Sequence, residues 1–134
     1  DRVNVKDYLG KMDFTLLTSI SEGQPLTILE SYAAHKAVIA TDVGNCQELI
    51  YGNDDGFGPA GILTHIMNIE EIAQAMITMS EDQEERERMG EAGYKRVNAF
   101  YRIEQMKDVY RGIYRELSDR QKLDWTEEPF QIRR

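Results

Sequence analysis

Residues 14–41 read FTLLTSISEGQPLTILESYAAHKAVIAT, and their pattern decides the fold. FTLLTS, residues 14–19, is a short apolar run that suits a strand buried on both faces, and it ends in the loop-forming ISEG. Pro25 is placed as the first residue of a helix, where its missing N–H costs nothing, and LTILESYAAHK supplies good helix formers up to Lys36. VIAT, residues 38–41, is the next strand. Strand, helix and strand joined by short connections form a βαβ crossover, the unit of a parallel sheet. An α/β fold with a Rossmann-like parallel sheet and flanking helices is expected.

On the N-terminal side, Val5, Tyr8, Leu9 and Met12 recur at helical spacing. They predict a short helix over residues 5–11 with Asn4 as its cap. On the C-terminal side, CQELIY reads as a short helix, GNDDGFGPAG as an extended loop, and ILT, residues 62–64, as a third short strand. Helices then dominate. One over residues 70–79 is expected to carry Ile72, Ala73, Met76 and Ile77 on one face, and a second covers residues 83–99. Ile103, Met106, Tyr110, Ile113 and Leu117 have the spacing of a last helix packed along a core. Beyond Ser118 no period is seen, and Trp125 and Phe130 read as cover for a missing domain. The organisation expected is one domain over residues 1–118 and a tail over 119–134.

The 134 residues suit one domain but are short for an enzyme with two substrates. A net charge of −8 argues against a nucleic-acid partner, because phosphate backbones are bound by clustered Lys and Arg. The single cysteine, Cys46, forms no internal disulfide, and no signal peptide or spanning apolar run is present. A cytoplasmic location is the simplest reading.

SEGQPLTILE, residues 21–30, places a loop and a helix start at the C-terminal end of a parallel strand, where ligands gather in open α/β sheets. The amides of Leu26 and Thr27 lie at that helix start and favour an anion. Gly23 lets a backbone approach a ligand without a side chain between. Glu22 precedes the helix, and Glu30 lies about 7.5 Å along the axis beyond Pro25. Two carboxylates flanking an anion site match the layout of a nucleotide sugar, a diphosphate between two polyols.

These residues resemble the retaining GT-B-fold glycosyltransferases with an E-x(7)-E motif, the glycosyltransferase family four type. The stretch VKDYLGKMDFTLLTSISEGQPLTILESYAAHKAVIATDVGNCQELI follows that family's order of motifs, and MGEAGYKRV and VYRGIYREL are similar to its closing helices. EGQPL, ATDVGNCQELIYG and GPAG look most like the pellicle-exopolysaccharide glycosyltransferases. The resemblance implies the incomplete C-terminal, donor-binding half of a GT-B fold in a hexosyltransferase. It further implies a UDP-sugar donor, with UDP-glucose as the candidate, and a glycan acceptor bound by an N-terminal domain missing from the sequence. Peripheral membrane association of the parent protein is allowed for, and no metal or other cofactor is implied.

Carried over by motif position, Glu22 is the catalytic candidate, touching donor-sugar hydroxyls near the reacting carbon. Glu30 binds ribose, Gly23 and Gln24 line the sugar, and the Leu26 and Thr27 amides face the phosphates. Pro25 stands in the donor-binding run where many members have glycine, His35 and Ala37 replace a common Gly-x-Pro, and Asn45 replaces the second glycine of GG. The family's diphosphate-neutralising Arg and Lys have no match before Asp13. A non-catalytic nucleotide-binding or regulatory module is the alternative function, and a structural interaction domain is a third.

Asp54 and Asp55 read as loop residues rather than a metal pair. His35, Cys46 and His65 lack the spacing of a zinc site. The acidic runs at Glu70–Glu71 and residues 81–87 complement helix starts.

Overall fold

The structure is a computed structural model and describes residues 4–121. Chain order is α1 (Lys6–Leu9), β1 (Phe14–Leu17), α2 (Leu26–Ala33), β2 (Ala37–Thr41), α3 (Cys46–Tyr51), β3 (Gly61–Thr64), α4 (Ile69–Glu81), α5 (Gln83–Phe100) and α6 (Ile103–Gln121). The three strands form one sheet in the order β1-β2-β3. Both pairings are parallel, with Phe14 opposite Ala37 and Val38 opposite Gly61. The α/β fold with a parallel sheet is therefore present, and ILT gains Gly61 to make β3.

Every residue of β2 is buried, because both faces of the sheet are covered. Val38 and Ala40 point into one core with Ile28, Tyr32, Leu49 and Ile50. Ala37 and Ile39 point into a second core with Ala75, Met79 and Met89. α5 serves both, Ala92 packing in the first and Met89 in the second. It can approach α2 closely because it carries two glycines at the crossing. A Cβ at Gly93 would lie 2.3 Å from the Tyr32 ring, and one at Gly90 would lie 2.3 Å from the His35 carbonyl oxygen.

Several local expectations change. The N-cap of α1 is Val5 rather than Asn4, whose carbonyl instead accepts from the Asp7 N–H at 3.0 Å. β1 ends at Leu17, two residues early, since the carbonyl of Ser19 is taken by the Thr41 hydroxyl instead of a ladder partner. Pro25 is the extended N-cap of α2 rather than its first helical residue, at φ −74° and ψ 104°. On α4 the buried residues are Ala75 and Met79, while Met76 and Ile77 are 40% and 47% exposed. The apolar stripe is wider than the surface presented by the sheet and α5, and only its Ala75 side reaches them.

α2 ends in a Schellman arrangement. His35 has φ +56°, the His35 N–H donates to the Tyr32 carbonyl and the Lys36 N–H to that of Ser31. A non-glycine residue is costly in this conformation, but the His35 ring stacks on Tyr94 at 3.7 Å and its Nδ1 lies 3.0 Å from Glu91. The missing glycine is thereby offset by packing. Asn68 and Asp82 cap α4 and α5 through the Glu71 and Glu85 amides, in keeping with acidic residues at helix starts.

One compact unit ends at Tyr101 and a second begins at Arg102. Within the second, α6 is the helix expected, with Ile103, Met106, Tyr110, Ile113 and Leu117 recurring at helical spacing along it. Trp125 and Phe130 lie outside the described residues, as does the expected tail from residue 122 onward.

Candidate functional site

Adjacent parallel strands bring the loops at their C-terminal ends together, and β1 and β2 do so here. Residues 18–25 follow β1 and residues 42–45 follow β2. The end of β2 and the loop after it support the first loop through three contacts. Thr41, 1% exposed, donates its hydroxyl hydrogen bond to the Ser19 carbonyl. The Asn45 N–H donates to the Gly23 carbonyl at 3.1 Å. Gly44, at φ +52°, lies against the Glu22 peptide so closely that a Cβ there would sit 2.0 Å from the Glu22 carbonyl oxygen.

These contacts separate the two positions of the expected Gly-Gly pair. Gly44 needs glycine for its positive φ and for the close approach. Asn45, at φ −93°, is the N-cap of α3 in a conformation open to any residue. Its departure from glycine leaves the loop support intact.

Glu22 is half-buried, and its Oε1 accepts from the Ser19 hydroxyl at 2.7 Å. Gly23 and Gln24 are exposed beside it, whereas Pro25 is buried and anchors the start of α2. Leu26 and Thr27 are the first two residues of α2, so their N–H groups have no intrahelical acceptor. The next amide, Ile28 N–H, already turns back to the Pro25 carbonyl at 3.2 Å. Both leading residues are exposed, Leu26 at 67%.

Glu30 is exposed on the same helix and lines a groove of about 440 Å³ with Val5, Lys6, Leu9, Ala33 and Ala34. The groove is mostly apolar with a carboxylate at its edge. The structure thus brings Glu22, Gly23, Gln24, Leu26 and Thr27 to one end of α2 and sets Glu30 on a separate face beside this groove.

A second cavity, of about 320 Å³, is lined by Glu48, Gly52, Asn53, Asp55, Arg96, Phe100 and Tyr101. Its charged pair is structural. Arg96 and the Asp55 side chain are 1% and 5% exposed. The guanidinium donates to both Asp55 oxygens, to the Leu49 and Ile50 carbonyls at 3.0 and 3.1 Å, and to the Gly58 carbonyl at 2.8 Å. Those bonds occupy all five of its N–H donors, so none remains for a ligand. Hydrogen bonding to Arg96 holds the Asp55 carboxyl below its usual value, against the opposing effect of burial.

Asp55 is consequently a core ion-pair partner rather than an ordinary loop residue. Asp54 occupies the turn, at φ +56°. No signal in the acidic pair distinguished the two; the only cue was a lone arginine on the inner side of MGEAGYKRV. Among the described residues no cluster of three or more His, Cys, Asp or Glu side chains could hold a metal. Cys46 is fully buried, and burial pushes its thiol pKa up. His65 is an exposed partner of Glu71. No helix among those described is long and apolar enough to cross a membrane.

Known proteins resemble this chain over most of its length. An uncharacterized glycosyltransferase of Methanocaldococcus jannaschii is 30% identical over 115 residues, 86% of this chain and 31% of that protein. The N-acetylgalactosamine-N,N'-diacetylbacillosaminyl-diphospho-undecaprenol 4-alpha-N-acetylgalactosaminyltransferase of Campylobacter jejuni is 27% identical over 106 residues, 79% of this chain and 28% of that protein. Sucrose-phosphate synthase of Thermosynechococcus elongatus shares the fold with a TM-score of 0.69 at 24% identity, over 81% of this chain and 27% of that one. The chain thus spans less than a third of the length of each. Residues 1–96 match the family of glycosyl transferases group 1, and the chain belongs to that family.

Proposed function

We propose that this chain is the donor-binding part of a retaining hexosyltransferase that moves a sugar from a UDP-sugar, UDP-glucose being the candidate, to a glycan acceptor. The observation that carries the reading is the arrangement on α2: a supported carboxylate, Glu22, at its start, two outward amides, and Glu30 beside an apolar groove. The uracil would lie in the groove, the ribose hydroxyls on Glu30, the diphosphate on the Leu26 and Thr27 amides, and the sugar along Gly23 and Gln24.

As the bond to the diphosphate breaks, negative charge grows on the leaving oxygen, and positive charge grows at the sugar carbon. Fixed amides at a helix start stabilise the first without reorganising. The Glu22 carboxylate stabilises the second. No divalent metal is required in this scheme, because cations from polypeptide outside this chain would complete the neutralisation.

The acceptor would be bound by that same outside polypeptide, consistent with the chain spanning 27–31% of its relatives. Assembly of an extracellular polysaccharide from the cytoplasmic side, with the parent protein peripheral to the membrane, is the setting proposed. Calorimetric titration of UDP into the full-length protein tests the reading. Saturable binding that weakens on Glu30→Ala supports it, and absence of UDP binding in the folded full-length protein rejects it. The isolated chain should release no UDP from UDP-glucose, and robust release by the purified chain would show that it needs no outside residues.

A further inference from the structure

We propose that Ser19 is the positioning residue for Glu22, a role that rests on Glu22 being the carboxylate that faces the donor sugar. A glutamate has three side-chain torsions, and a carboxylate that must meet a transition state within a fraction of an ångström needs them fixed before the ligand arrives. Two independent sets of contacts fix this one.

The backbone of Glu22 is set from below. Its carbonyl rests against Gly44, and the neighbouring Gly23 carbonyl is held by the Asn45 amide. The side chain is set from the strand. Ser19 Oγ donates to Glu22 Oε1 at 2.7 Å, and Ser19 is itself pinned by Thr41, a buried residue of the central strand that pairs with Thr64. The chain of support therefore runs from the core of the sheet through Thr41 and Ser19 to the carboxylate.

The donor chosen for this task is neutral. Among the described residues Glu22 makes no ion pair, and its Oε2 receives no side-chain hydrogen bond. A lysine or arginine in place of Ser19 would also fix the carboxylate, but it would cancel the negative charge that the sugar carbon requires. A serine hydroxyl orients one oxygen and leaves the charge and the other oxygen for the ligand.

The test uses the full-length protein with UDP-glucose as donor, comparing wild type, Ser19→Ala, Ser19→Thr, Glu22→Gln and the double variant Ser19→Ala/Glu22→Gln. We expect Ser19→Ala to lower kcat about tenfold or more while the Kd for UDP changes less than about twofold, the split produced by a transition-state interaction. Ser19→Thr, which keeps the hydroxyl, should restore most of kcat. The double variant should be no slower than Glu22→Gln alone, because residues acting through one another are not additive.

Wild-type kcat in Ser19→Ala alongside a crippled Glu22→Gln overturns the positioning role, as does full additivity in the double variant. Full activity in Glu22→Gln instead overturns the reading of the site beneath it. Should Ser19→Ala fail to fold, Ser19→Cys, near-isosteric with a weak donor, carries the same comparison. If UDP-glucose is not turned over by wild type, the donor assignment fails. Crystal structures of wild type and Ser19→Ala then decide the question, and an unmoved Glu22 carboxylate counts against Ser19.

Discussion

Two carboxylates on loops of this fold are held in opposite ways. Asp55 is 5% exposed and receives two hydrogen bonds from a buried guanidinium. Glu22 is half-buried and receives one bond from a hydroxyl. The first is neutralised and committed, so its removal should be felt in stability. The second keeps its charge and an oxygen without a protein side-chain donor, so its removal should be felt in chemistry. Acidity alone does not distinguish a functional carboxylate from a structural one; the partner does.

The sharpest way to break this contrast is to exchange the readouts. Asp55→Ala should cost about 3–5 kcal/mol of stability, the range for removing one partner of a buried ion pair, and should leave kcat of any folded protein near wild type. Chemical denaturation of the 134-residue chain measures it, and a loss below about 1 kcal/mol, the level of an exposed pair, would place the pair outside the cooperative core. The same pair has a pH signature. Because the Asp55 pKa is lowered on folding, its contribution is fully present above the ordinary value of 3.8 and is lost as pH falls through the folded value. The stability gap between wild type and Asp55→Asn should therefore narrow as pH drops below 3.8. A gap that widened toward acid would contradict the sign.

Next in size is Glu22→Gln in the full-length enzyme. It should lower kcat about a hundredfold, comparable to removing one preorganised electrostatic group from an active site, with the melting temperature unchanged. Glu30→Ala comes third. It should weaken UDP binding by about 1.5–3 kcal/mol, the worth of hydrogen bonds to a charged group. Unchanged affinity in the folded variant would remove Glu30 from the nucleotide site. The smallest effect is expected from a chelator or from Asp54→Asn, each leaving transfer within about twofold of wild type, since Asp54 only shapes a turn. Activity abolished by chelation and restored by magnesium or manganese would overturn the metal-free scheme.

The alternation of residues 14–41 was enough to specify strand, helix, strand and a parallel pairing, because burial on both faces leaves continuous apolar runs. The loop and helix start of residues 21–30 were equally legible, since turn-forming residues and a proline separate the two apolar strand runs. What sequence could not convey was support across the chain. Ser19 and Thr41 are separated by 22 residues, and Arg96 and Asp55 by 41. Neither pair has a periodicity, and both become neighbours only after the sheet has formed. The reach of α4's buried stripe failed for a related reason. Helical spacing gives an apolar face, but the partner surface decides how much of that face is covered.

Arg96 also says something about where this domain can be trimmed. Its guanidinium closes the C-terminal end of α3 at Leu49 and Ile50, the turn at Asp55 and the strand approach at Gly58. A chain ending before residue 96 would keep every strand and nearly every core side chain, yet leave a buried carboxylate and three buried carbonyls facing an empty slot. Such a truncation should unfold, although every fully buried apolar side chain is kept and only Val97 and Tyr101 are lost from the margin of the core. A chain ending just after Tyr101 would retain the slot's occupant. The shortest chain that keeps these polar groups paired therefore has to reach one cation near the end of α5, well past the last residue of the sheet.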